Sequence, residues 1–512
     1  MVAAPGVAEP DGASQVSVAE ALLADETEYV SLPVAAIWRG DRRLEAETYL
    51  TGGYGLRTQI ESVLPHRQLK DAASVWLPPR LKGVLVSPEH GAPFLTATQV
   101  FDLRPVPRKW VALSKIREPE LLRGQQGSIL VTRSGSVGTP IVVFAPHLGN
   151  VVVSDDLLRV EPYDSKDTGY LYTFLCSRFG KTMLRSSKYG SVVKHLEPEH
   201  LFEVPVPFVP DALRTDLNRR VKKVFQLREE AYQDTLRAEA LYAAQFPDVA
   251  ETNDESGFAE PSSRMLGGQR RLDAHYYNPA ARRVLAALEA SGNKLEPLAS
   301  VTKTVFGVPR FKHVYKPTGI PYLDSEDLFK LNPEIDKFIP AVTKKDADKF
   351  YVERDWLLMA CSGQLYGFNG TVVLANAWHE HKIVSNHVLR IVPDGIRPGY
   401  LMMALGHPTL ARPLVLRTAF GSEIPEIPPE SLLRVPIPRL GAVEAEIAEL
   451  VEGAGSKRFA ANKTEDDAVR DLERHLERAL HGIEPIVEGP RMKIDADPED
   501  ALRAMLRTHR QR

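Results

Sequence analysis

Cysteine is nearly absent. Only Cys176 and Cys361 occur in 512 residues, each inside an apolar run. Two thiols make neither a disulfide framework nor a four-thiolate zinc site, so both are expected to be buried free thiols in a reducing cytoplasm. No run reaches the roughly 18 apolar residues of a membrane span. Neither sign of charge is in excess: 64 Lys and Arg stand against 67 Asp and Glu, for a net −3. A uniformly basic coat is excluded, and any nucleic-acid surface must be local. Met1 to Val30 has no basic start, and Pro5, Pro10 and Asp11 interrupt any apolar core. No export signal is therefore expected there, and roughly the first 15 residues read as a tail. The hydrophobic share of 43% and charged share of 26% exclude a mostly disordered or collagen-like chain.

Catalytic motifs are missing as well. The glycines at 53 and 55 and at 363, 367 and 370 precede no Gly-Lys-Ser or Gly-Lys-Thr, so no phosphate loop is present. No serine nucleophile elbow occurs. No Asn or Asp is followed by Pro-Pro and an aromatic, as an amino-methyltransferase would require. Asp495, Asp497 and Glu499 lie at an expected helix start before Ala501, Leu502, Met505 and Leu506, where acids are favoured electrostatically. That segment reads as a partner-docking helix or a frayed surface one. His379, Glu380, His381 and His387 form the one histidine cluster, with a metal site as one reading and a polar loop as the plainer one. Ser134 and Ser136 could serve as nucleophiles on paper, but a turn or a ligand-facing loop suits Thr132-Arg133-Ser134-Gly135-Ser136 better.

What the chain does have is a copy of itself. Arg43-Leu44-Glu45-Ala46 returns as Arg271-Leu272-Asp273-Ala274, a shift of 271 − 43 = 228. Gly91 to Leu95 returns as Gly319 to Leu323, Phe101 as Phe329, and Ser134-Gly135 as Ser362-Gly363, all at the same shift. From Ser154 and Ser385 onward the shift becomes 231, through Gly190-Ser191 and Gly421-Ser422, Glu199 and Glu430, and Val204-Pro205-Val206-Pro207 and Val435-Pro436-Ile437-Pro438. Ordered matches with one small slip are a duplication, with a period too long for a solenoid.

Each copy predicts a mixed α and β module followed by a long helix. Short branched runs at 127–131, 141–144 and 151–153, and again at 356–359, 371–374 and 383–384, read as strands. Residues 170–179 and 400–405 read as helices. After the proline-blocked edge, Leu213, Leu217, Val221, Val224, Leu227 and Ala231 recur at helical spacing up to about Phe246, between Pro210-Asp211 and Pro247. The second stripe, Val443, Ile447 and Leu450, is expected to break near Gly453 and Gly455 and to resume at Ala468, Leu472, Leu476 and Leu480. Two amphipathic stripes need partners, and each other, as an antiparallel coiled coil, is the economical choice over packing on their own sheets. The reading is α+β: an extension over 1–42, a module over 43–210, a helix over 211–247, a flexible linker over 248–270, a second module over 271–440, a helix over 441–482 and a tail over 483–512.

Charge is patchy. Residues 178–196 hold Arg178, Lys181, Arg185, Lys188 and Lys194 with no acid, and His195 adds to them. Residues 302–322 hold Lys303, Arg310, Lys312, His313 and Lys316, and residues 395–422 hold Arg397, Arg412 and Arg417. Such runs suit a phosphate backbone, although a solvated face is the usual meaning of a charge run. Their presence in both copies favours DNA.

These residues resemble the specificity subunit of type I restriction–modification enzymes. The carriers are residues 130–138, 154–160, 189–200 and 204–207, with looser versions at Phe420-Gly421-Ser422 and Ile427-Pro428-Pro429-Glu430, and Arg271 to Pro279 as an opening. The likeness runs from about Leu44 to His481. It implies two target-recognition domains, each reading half of a split double-stranded DNA site, and helices that set the gap and dock methyltransferase (modification) subunits. It also implies that S-adenosylmethionine and the flipped adenine belong to that partner, with no cofactor in this chain, and that a restriction subunit can join. The expected role is a non-catalytic, cytoplasmic DNA-binding subunit. The interrupted second stripe, Cys361-Ser362-Gly363-Gln364 in place of Arg133-Ser134-Gly135-Ser136, and both extensions depart from the pattern and point to a less standard defence system.

For base reading the candidates are Arg133, Ser134, Ser136, Lys188, Tyr189, Ser191, Lys194 and His195 in the first copy. In the second they are Arg310, Lys312, Gln364, Tyr366, Asn369, Arg417 and Ser422. Arg and Lys suit guanine, and Asn and Gln suit adenine. The rival readings are a scaffold that binds no DNA and an enzyme built on the His379 cluster.

Overall fold

Proline limits one edge of each module. Among the described residues Pro205–Pro207 pairs antiparallel with His66–Gln68 and nothing else, and Pro436–Arg439 does the same with Lys294–Pro297. A residue without an N–H cannot extend a ladder, so both sheets stop at two strands. A computed structural model of the chain describes residues 52–81, 83–135, 137–142, 146–149, 151–186, 195–246, 261–267, 271–310, 314–340, 350–421 and 423–483. The expected extension over 1–42, most of the linker and nearly all of the tail after 483 lie outside the described residues.

The chain forms two units. Unit 1 comprises Met1–Val100, Val106–Lys223 and Thr464–Arg512; unit 2 comprises Phe101–Pro105 and Val224–Lys463. In unit 1 one four-stranded sheet runs Ala73–Trp76, Leu157–Pro162, Ile129–Thr132, Pro140–Val142. A second runs Leu85–Val86, Lys109–Val111, Ala92–Leu95, Val152–Val153. Unit 2 repeats the first as Thr302–Phe306, Val388–Pro393, Leu357–Ala360, Val372–Leu374, and the second as Phe338–Ile339, Ile320–Leu323, Ile383–Val384. Among the described residues each unit has one parallel strand pair, aligning Leu95 with Val153 and Leu323 with Val384, at the positions the duplication equates. The central strands Leu157–Pro162 and Val388–Pro393 are absent from the sequence reading. Each buries an arginine, Arg159 or Arg390, which disguises an apolar strand. The Arg390 guanidinium donates to the carbonyls of Val384 (2.6 Å), Ser385 (3.0 Å) and Val388 (2.5 Å), so its charge is spent on the turn before its own strand.

Helix limits differ from expectation in two places. The pattern over 170–179 is two helices, Thr168–Cys176 and Arg178–Ser186. Ser177 divides them: its hydroxyl donates to Phe174 O (2.6 Å) and accepts from Gly180 N (3.3 Å), serving both ends. A Cβ on Gly180 would lie 2.2 Å from Phe174 O, so the tight corner requires glycine. The second correction concerns the expected break at Gly453 and Gly455. Val443–Leu480 is one helix of 38 residues. A glycine costs a helix interior only about 1 kcal/mol, and flanking burial of Ala448, Val451, Ala454 and Ala461 outweighs that.

The first long helix, Asp211–Ala243, contributes its opening turns to unit 1 and the remainder to unit 2, and the second does the reverse. Within unit 1, Arg220 pairs with Asp471 (2.7 Å), and the Tyr172 hydroxyl donates to Glu465 (2.6 Å). Within unit 2, Arg228 donates to Asn462 (3.0 Å) and Lys457 pairs with Asp234 (2.6 Å), so the two segments run antiparallel there. The same core cluster joins Ala238 and Tyr242, Ile447 and Val451, and the sheet residues Leu357 and Ile391. These stripes therefore pack both on each other and on the sheet. Among the described residues no helix is long and apolar enough to cross a membrane.

Candidate nucleic-acid interface

The duplication extends to individual backbone hydrogen bonds around one loop in each unit. In unit 1 the loop leaves Ile129–Thr132: Thr132 N donates to Thr139 O, Gly138 N to Thr132 O, Arg133 N to Asp156 O and Leu196 N to Arg133 O. In unit 2, Ala360 N donates to Thr371 O, Gly370 N to Ala360 O, Cys361 N to His387 O and Ile427 N to Cys361 O. Gly138 and Gly370 hold φ of 78° and 74°, a region that glycine enters without strain. The frame is the same; the side chains on it are not.

In unit 1 the loop carries a closed polar cluster. The Arg133 guanidinium pairs with Glu197 and, at 3.5 Å, with Asp156. The Ser134 hydroxyl lies 2.8 Å from Asp156 Oδ1 and 2.7 Å from His195 Nδ1. Its one proton goes to the carboxylate, which leaves His195 Nδ1–H to donate to the serine oxygen. Serine thus sits between acid and histidine. A nucleophile needs the histidine in the middle, so this order is not a catalytic triad. Arg133 is a half-buried strut rather than a free base reader. Ser136, Lys188, Tyr189, Ser191 and Lys194 lie outside the described residues.

In unit 2 the same frame presents exposed, largely apolar groups. Tyr366 is 74% exposed, Phe420 52% and Ile424 62%. Ile424 escaped the sequence reading; an isoleucine between Glu423 and Pro425 was its only signal. Gln364 reaches toward Glu423 O (3.4 Å), and the exposed Arg310 stands 3.7 Å from Glu426. Asn369 is not at the surface. It is 1% exposed, and its amide donates to Gly363 O (2.8 Å) and Pro425 O (2.9 Å), tying two loops together. Arg412 works beside it, donating to the carbonyls of Leu365, Gly367 and Asn369. Arg417 lies apart from this loop, stacked 4.4 Å over the Tyr276 ring. Lys312 and Ser422 lie outside the described residues.

The remaining chemical candidates become structural groups. His379 is buried, and burial and then Lys382 drive its imidazole down to about 3, so it is neutral and takes a hydrogen bond from Asn376 N (3.1 Å). Among the described residues no group of His, Cys, Asp and Glu converges as a metal site. Cys361 is buried, and burial followed by Glu426 raises its thiol to about 12, leaving it unreactive.

No family model matches the chain, and no curated protein does. Solved structures do. The S subunit of a type I restriction–modification system from M. genitalium is 13% identical, with a TM-score of 0.32, over 83% of this chain and 96% of that one. The HsdS subunit from Thermoanaerobacter tengcongensis is 13% identical, with a TM-score of 0.24, over 83% of this chain and 98% of that one. A chain from a study of complex assembly and conformational transition of the type I R-M system is 14% identical, with a TM-score of 0.25, over 82% of this chain and 99% of that one.

Proposed function

We propose that the chain is the DNA-recognition subunit of a type I-like restriction–modification or defence complex. It directs an adenine-N6 methyltransferase partner, which holds S-adenosylmethionine, to a bipartite site. One observation carries this reading: a loop frame held by matching backbone bonds in both units displays unlike side chains in each. That is what two readers of unlike half-sites require. The long helices, as an antiparallel coiled coil, are the ruler between half-sites and the dock for the modification subunits, and spacing along a duplex then follows from geometry. In unit 1 the readers are Ser134 and His195, steadied by Arg133, together with the basic run that holds Lys188 and Lys194. In unit 2 they are Gln364, Tyr366, Arg310 and Phe420, steadied by Asn369. Flipping and methyl transfer require a pocket on another chain.

The test is single-molecule methylation sequencing of the host genome with and without the gene, followed by duplex binding of the chain with its purified partner. Loss of one split adenine-methylated motif is the expected result. An unchanged methylome together with no salt-sensitive duplex binding would overturn the reading in favour of a scaffold that reads no DNA.

A further inference from the structure

Each copy is a control for the other, and one difference between them borders a cleft in unit 2. In unit 1 the helix Gly53–Val63 carries Arg57, whose guanidinium pairs with Glu203 (2.8 Å) and Glu61 (2.9 Å). The corresponding helix in unit 2 is Pro279–Ala290, where Val284 and Leu288 are buried as Leu56 and Ile60 are. The shifts of 228 and 231 place Leu285 where Arg57 stands (57 + 228) and Arg434 where Glu203 stands (203 + 231). The ion pair that fills this position in unit 1 is thus replaced by a shorter apolar chain facing a cation.

At this position unit 2 holds a cleft of about 350 Å³. Leu285, Leu295, Leu414 and Val435 are among its apolar lining residues, and Arg417 and Arg434 among its cationic ones. The Arg417 guanidinium is already oriented by the Tyr276 ring. Arg271 also lines the cleft, but its charge is matched by Asp273 at 2.5 Å. Glu289 is the one carboxylate among the lining residues. Neither Arg417 nor Arg434 has a carboxylate partner among the described residues. Two guanidiniums in one largely apolar lining are the composition that suits an amphipathic anion. A volume within the roughly 300–1,000 Å³ of small-molecule sites suits a ligand with one flat or apolar part and one dianionic group.

We propose that this cleft binds a phosphate-bearing ligand of mononucleotide size, its phosphate on Arg417 and Arg434 and its ring on the lining leucines. The proposal does not depend on the reading of the loop frames. Bidentate guanidinium contacts give phosphate its affinity and orientation. The phosphate can come from a free nucleotide or from a nucleic-acid strand, and the test separates the two.

The full chain is titrated calorimetrically with AMP and with inorganic phosphate, then with AMP in the presence of a saturating duplex oligonucleotide. Two variants accompany it. Leu285→Arg with Arg434→Glu transplants the ion pair that unit 1 already folds around, and Arg417→Gln removes the stacked cation. AMP is expected to bind, and both variants to lose at least about tenfold in affinity, about 1.4 kcal/mol, while keeping the wild-type melting profile. Duplex that displaces AMP assigns the site to a strand; AMP unmoved by duplex assigns it to a soluble nucleotide. Failure of AMP and phosphate to bind the wild-type chain, or undiminished binding in both variants, overturns the proposal.

Discussion

Replacing Gly453 and Gly455 together with alanine should stabilise the second long helix by about 1–2 kcal/mol. Both positions lie inside Val443–Leu480, and neither has the positive φ that would strain an alanine. A Cβ built on either meets nothing within 4 Å, so no overpacking offsets the gain. The nearby bond from Asn376 Nδ2 to Gly455 O (3.3 Å) uses the main chain and survives the change. The gain comes from conformational freedom removed from the open chain, about 0.4–1 kcal/mol at each site. Hydrogen exchange read on peptides from Val451 to Lys463 reports opening of that segment. About 1–2 kcal/mol corresponds to exchange slowed about five- to thirtyfold. Exchange that is unchanged or faster would refute the reasoning, because it would mean that the helix is interrupted here in solution, as the broken apolar stripe suggests.

Two further predictions concern unit 2. Tyr366→Ala and Phe420→Ala should leave stability within about 0.5 kcal/mol, since both rings are exposed, yet lower duplex affinity by about 1–3 kcal/mol; full binding by both would remove them from the interface. The second concerns acid. His379, held near 3 when folded against a usual 6.5, refuses a proton that the unfolded chain accepts, so its contribution is lost as pH falls below about 6.5. Burial raises Asp327 to about 6, so the folded chain there binds a proton that the unfolded chain releases, and its contribution grows as pH falls from about 6 to about 4. The two oppose one another in that window. Asp327→Asn removes the opposing carboxyl, and unfolding free energy should then fall more steeply than in the wild type as pH drops from about 6 to about 4, by up to about 1.4 kcal/mol per unit. Urea titrations at stepped pH that show equal slopes for both proteins would refute this assignment.

The duplication was legible because it is written in turn glycines, prolines and small residues, which the backbone needs wherever the chain turns sharply. Gly138 and Gly370 recur because their φ recurs. Positions of single side chains were not legible, because they depend on partners distant in sequence. Arg133 looked like a guanine reader until Glu197 and Asp156 came into place around it. Asn369 looked like an adenine reader, but a carbonyl 56 residues away, on Pro425, claims its amide. The helix break was inferred from pattern alone. Pattern reports which face is apolar, whereas the neighbours of that face decide whether a glycine can be tolerated.

The same distinction bears on how the loop frame can change what it touches. At four equivalent places Arg133, Asp156, His195 and Leu196 in one unit answer to Cys361, His387, Glu426 and Ile427 in the other, yet the backbone bonds are retained. Main-chain donors and acceptors do not depend on side-chain identity, so a frame closed by them tolerates exchange of every outward side chain. The side chains that cannot change are those that replace a backbone bond. Asn369 and Arg412 are of this kind, closing the unit 2 loop through its carbonyls. A change of specificity should therefore be reachable at Gln364, Tyr366 or Phe420 without loss of fold, and unreachable at Asn369, where a substitution opens the loop before it alters what the loop touches.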